Sequence, residues 1–129
     1  MAQSMNSSVD LVIRATSFHS LTVYGELMVG NNAIEFYNEK NPEDYVQIPW
    51  TEVDHVAAEV LFGRIISRFA VITKESGHFS FSTRDNKATL RAIREYVPAD
   101  HMVRSASFFD VIGLGIKRLW RMVFRGGAE

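Results

Sequence analysis

The four histidines, His19, His55, His78 and His101, are the residues best suited to bind a metal or move protons near neutral pH. None lies three or four residues from another, so no local pair can clamp a cation. A zinc site would have to gather them from distant segments. His19 follows Phe18 at a break between two extended runs and reads as a turn residue bonded to a nearby carbonyl. Glu39, Glu43 and Asp44 crowd one polar loop, with Glu52, Asp54 and Glu59 further on. Paired carboxylates can cleave glycosides, but only from fixed positions on opposing walls of a cleft. Loop carboxylates read instead as solvated surface. The absence of cysteine excludes a disulfide scaffold, a thiol nucleophile and thiolate-held metals. There is no P-loop, metalloprotease helix or nucleophile elbow. Gly113-Leu114-Gly115 lacks the third glycine and the preceding strand of a dinucleotide loop. No catalytic, cofactor or metal residue is expected, and the chain reads as a non-enzyme.

Two basic groupings could bind rather than react. Arg64, Arg68, Arg84, Lys87, Arg91 and Arg94 form a candidate patch for a phosphate or an acidic partner. For Lys87, Arg91 and Arg94 ordinary solvation of a helix is the stronger reading. The second grouping is C-terminal. Phe108, Phe109, Ile112, Ile116, Leu119, Trp120, Val123 and Phe124 are interleaved with Lys117, Arg118, Arg121 and Arg125. At helical spacing the apolar residues share a face, with the basic ones mainly opposite, so the pattern predicts a basic amphipathic helix over 105–124. Three placements satisfy it: packing on its own domain, contact with a protein partner or second copy, or lying in an anionic membrane surface.

The rest of the 129 residues must position these groups. Apolar residues make up 47% and charged residues 22%, enough for one domain with a real core. The net charge of -1 hides an asymmetry: residues 1–100 carry nine basic and thirteen acidic side chains, residues 101–129 five and two. The negative body and the missing recognition helix argue against direct nucleic-acid binding. The polar N-terminus has no signal-peptide pattern and no run is long enough to span a bilayer, so the expected location is cytoplasmic, with attachment at the inner membrane face as the alternative.

Residues 9–83 show period-two alternation broken by turn signals. Gly30-Asn31-Asn32 predicts a hairpin. Val46, Ile48 and Trp50 alternate with Tyr45, Gln47 and Pro49. Thr51 to Phe62 reads as a strand bent near Ala57-Ala58, although its valines also fit helical spacing. Phe79 and Phe81 give the clearest alternation. Asp85 then caps a helix over 85–97 that buries Leu90, Ile93 and Val97 and stops at Pro98. Val46, Ile48, Phe69, Val71, Phe79, Phe81, Leu90 and Ile93 are the expected core.

About seven strands with short connections imply antiparallel neighbours. The expected fold is mainly β (α+β): a pleckstrin-homology-like curved sheet or partly open barrel over residues 9–97, capped by one helix. Residues 98–129 form the expected helical extension. The loop Phe18-His19-Ser20 holds no lysine or arginine, which argues against inositide binding by such a fold.

The runs Leu11–His19, Glu35-Phe36-Tyr37-Asn38 and Asp44–Trp50 carry a family resemblance, together with Val60-Leu61-Phe62-Gly63, Arg68-Phe69-Ala70, Leu90–Arg94 and Pro98-Ala99-Asp100. In this order they resemble domain-of-unknown-function family 956 of Firmicutes, across roughly residues 9–124. The resemblance implies a gene setting beside mannose-type sugar phosphotransferases and a link to that operon's regulation. It supplies no catalytic residues. The expected role is a regulatory or scaffold module that binds a protein partner or itself, with a peripheral membrane adaptor as the second reading.

Overall fold

The computed structural model describes residues 3–19 and 21–104. Eight strands occur in chain order: β1 Val9–Ser17, β2 Val23–Gly30, β3 Ala33–Asn38, β4 Tyr45–Pro49, β5 Val53–Leu61, β6 Ile65–Thr73, β7 His78–Thr83 and β8 Met102–Arg104. One α-helix, α1 Asn86–Ile93, follows β7, and short 3-10 turns cover Trp50–Glu52 and Ala99–His101. The strands form one sheet in the order β4-β3-β2-β1-β7-β6-β5-β8.

β1 through β7 pair antiparallel wherever they meet. β8 corrects the expectation of antiparallel neighbours only: it pairs parallel to β5, aligning Val56, Ala57 and Ala58 with Met102, Val103 and Arg104. The reason is topological. α1 and the turn after it form a crossover between β7 and β8, which returns the chain in the parallel sense. The added strand pairs a β5 edge that would otherwise leave backbone groups open. Among the described residues the fold is therefore a mixed, incompletely closed eight-stranded sheet with one α-helix. The amphipathic pattern of 105–124 lies outside the described residues.

Every core prediction on the α1 side and in the sheet centre holds. Ile48, Phe69, Val71, Phe81, Leu90 and Ile93 are buried, and Val46 and Phe79 pack half-buried against them. Buried side chains from both halves of the sheet join α1 in one cluster, so the sheet wraps around a single core. The strand over 53–61 is confirmed, but its register irregularities lie between Val53 and His55 and between Glu59 and Val60, on either side of Ala57-Ala58. Asp85 caps α1 as its position predicts, accepting from the Ala88 amide at 3.0 Å. The helix ends at Ile93, four residues before the expected Val97. There the amides of Glu95 and Tyr96 bond three residues back, tightening the last turn. Tyr96 stacks on Trp50 at 5.2 Å, and the Val97 amide makes a last bond to the Ile93 carbonyl at 3.0 Å before Pro98.

Candidate functional site

A cleft of about 480 Å³ lies on the outer face of β1–β3 and is lined by Arg14, Glu26, Met28 and Tyr37 among others. Strand register sets the row: Arg14 opposes Glu26, and Glu26 opposes Tyr37. Arg14 turns its guanidinium to Glu39, with Nη1 donating to Oε2 at 2.8 Å. That hydrogen bond holds the Glu39 carboxyl below its ordinary range and raises Arg14 above its own. The pair is exposed and already neutralised.

Beside this cleft, Glu35 is 0% exposed although it points away from the core side chains Ile34 and Phe36. Residues 3–8 cover it as a strap. Ser4 Oγ and Asn6 Nδ2 each donate to Glu35 Oε2 at 2.6 Å. Tyr37 Oη and Gln47 Nε2 donate to Oε1, the latter at 3.0 Å. Burial first, and the Glu35 hydrogen bond second, push the Tyr37 hydroxyl above its usual pKa, so it stays a donor. Asn6 Oδ1 accepts from the amides of Asn32 and Ala33, and Asn31 Oδ1 from those of Ser7 and Ser8. The strap lies so close that a Cβ at Gly30 would come within 2.4 Å of Asn6. Four donors around one carboxylate make a structural lock, with no acid or base left poised. Period-two alternation put Glu35 on a wet face, and only the strap's Ser4 and Asn6 could have signalled its cover.

The basic patch divides in space. Arg64, Arg84 and Lys87 line one shallow pocket of about 330 Å³, together with the cap residue Asp85. Arg68 instead lies 3.3 Å from Glu59 and above the Phe18 ring. Arg91 and Arg94 are exposed further along α1 and its end, outside that pocket. One residue that sequence reasoning missed joins the first group: Arg104 Nη2 donates to the Gly63 carbonyl at 3.3 Å. Phe108, Phe109, Ile112, Ile116, Lys117, Arg118, Leu119, Trp120, Arg121, Val123, Phe124 and Arg125 lie outside the described residues.

The basic group surrounds the β5–β6 turn, Leu61-Phe62-Gly63-Arg64, closed by the Arg64 amide on the Leu61 carbonyl at 3.1 Å. Both central residues have positive φ, Phe62 +54° and Gly63 +73°. Glycine tolerates this, whereas a bulky L-residue there is strained. Phe62 is nevertheless 89% exposed, between Leu61 at 40% and Ile65 at 47%. A strained backbone that presents an apolar ring to water is a local choice that folding alone does not explain. Phe62→Asn gives the Asn-Gly pair this turn geometry favours. It should stabilise the domain by about 1 kcal/mol, raising the thermal midpoint by roughly 4–8 °C. A scan showing a lower midpoint would contradict that account of the turn.

Two of the histidines, His55 and His101, converge on Asp54, and His19 lies elsewhere. His19 stacks on Phe79 at 4.6 Å, His55 meets Asp54 at 2.8 Å, and His101 Nδ1 meets the Asp54 carbonyl at 2.7 Å. No group of three metal-binding side chains occurs among the described residues.

No curated protein matches the chain. Among solved structures, the C-terminal domain of an unknown protein from Leishmania infantum is similar in fold, with a TM-score of 0.61. The match covers 69% of this chain and 83% of that one, at 10% identity, a level that speaks for architecture alone. The sequence motifs spread along β1, β3, β4, β6 and α1 have a firmer counterpart: the family described as "Domain of unknown function (DUF956)" matches residues 1–116, and the chain belongs to it.

Proposed function

We propose that the protein is a non-catalytic docking module, regulatory or scaffolding in role, which engages its target through the β5–β6 tip. The observation that carries this reading is Phe62, held exposed on a strained turn between two further exposed apolar residues. Support against chemistry comes from the cleft on β1–β3, where Arg14 is spent on Glu39 and the neighbouring Glu35 on four donors. A pleckstrin-homology-like identity is supported by seven antiparallel strands followed by one helix. The resemblance supplies the setting: a cytoplasmic factor acting on sugar phosphotransferase uptake or on expression of its operon.

Fractionation of cells producing the full chain tests the docking role. The wild-type chain should migrate with membranes or in an assembly larger than itself, and Phe62→Asn should shift it to the free pool. Identical distributions would overturn the reading.

A further inference from the structure

Resting on the tip as the docking surface, we infer that its target is an anionic lipid surface, with Phe62 as the inserted side chain. The tip projects from the domain: a Cβ on Gly63 would meet no atom within 4 Å. Its apolar residues are few and terminal, which suits shallow insertion among headgroups better than a broad protein interface. Arg64, Arg84, Lys87 and Arg104 sit behind them, where phosphates would lie. The carboxylate in this group, Asp85, is engaged with the Ala88 amide.

Charge complementarity extends beyond the tip. Residues 1–100 carry a net of -4 and residues 101–129 a net of +3. β8 runs parallel to β5 and therefore towards the tip, and Arg104 bonds the Gly63 carbonyl there. The basic, aromatic-rich sequence 105–129 follows this strand and lies outside the described residues. An anionic surface would draw in the tip, with Arg64, Arg84, Lys87 and Arg104, while repelling the acidic body, which fixes orientation.

The test uses the full chain with vesicles of phosphatidylglycerol and phosphatidylcholine in equal parts, and of phosphatidylcholine alone. Co-sedimentation should favour the anionic vesicles and weaken with salt. Phe62→Asn should lower the affinity about tenfold. Its folded domain is expected to be more stable, so unfolding would not explain that loss. Arg64→Ala and Lys87→Ala should each lower affinity about fivefold. Because the chain has no cysteine, Phe62→Cys can carry a polarity-sensitive dye, with Glu75→Cys at the far end of β6 as control. Only the dye at 62 should shift to the blue on anionic vesicles. Indifference to anionic vesicles, or binding with Phe62→Asn unchanged and a silent dye at 62, overturns the inference. If the vesicles are ignored but Phe62→Asn still loses its cellular assembly, the lipid target falls and the docking module stands. If neither changes, both fall.

Discussion

Phe81→Ala lowers the unfolding free energy by about 3–5 kcal/mol, the cost of a large cavity in a packed core. Phe81 is 1% exposed, and its ring lies 5.8 Å from Phe36 and 6.1 Å from Phe69. Those two rings belong to opposite halves of the sheet, so Phe81 fills the space where the halves meet. Its backbone also aligns with Ser17 in the β1–β7 pairing. The cavity cannot collapse without shifting that seam, which places the expected loss high in the usual range. Urea unfolding measures it. A loss below about 1 kcal/mol would mean that neighbouring side chains refill the space, contrary to the packing.

Glu35→Gln should destabilise by about 1–3 kcal/mol, far more than its small change in shape suggests. The carboxylate is the acceptor for Ser4, Asn6, Tyr37 and Gln47 together. An amide replaces one acceptor oxygen with a donor, so two of these donors would face N–H groups with no water to take over. The strap should loosen first, because Ser4 and Asn6 are held by that side chain. Hydrogen exchange would show faster amides at Asn32 and Ala33, which Asn6 Oδ1 now accepts from. Glu39→Gln is the control, since its pair with Arg14 is exposed. Equal stability of the Glu35 and Glu39 variants, with unchanged exchange, would contradict the lock.

Much of the sheet was legible because its signals are local. Phe79 and Phe81 alternate, Asp85 caps, and Gly30-Asn31-Asn32 turns, each within a few residues. What escaped depends on contacts between distant segments. β8 forms because β5 offers an edge more than forty residues earlier in the chain, and no alternation within three residues announces it. Glu35 obeys the outward half of its strand's alternation, yet a strap 29 to 31 residues upstream makes outward mean buried. The basic patch was half legible for the same reason. Arg64 and Lys87 meet only because the β5–β6 turn reaches the start of α1, while Arg104 arrives with the unforeseen strand. The exposed ring of Phe62 was hidden by composition, since a phenylalanine beside a strand reads as core until its φ is known.

The pairing of β1 sets the order in which the chain can fold. Eight of its residues align with β2, its immediate successor, and only three with β7. The first four strands can zip together as a local meander while the rest is still being synthesised. β5 to β7 can do the same, but the two meanders have nothing to close on until Ala15, Thr16 and Ser17 meet Phe81, Ser82 and Thr83. Closure of that long loop is the slow, non-local step. Until it occurs, the inner faces of both meanders are open to water and to other chains, so the rate at which three residues find three others governs how long a nascent copy stays vulnerable to aggregation.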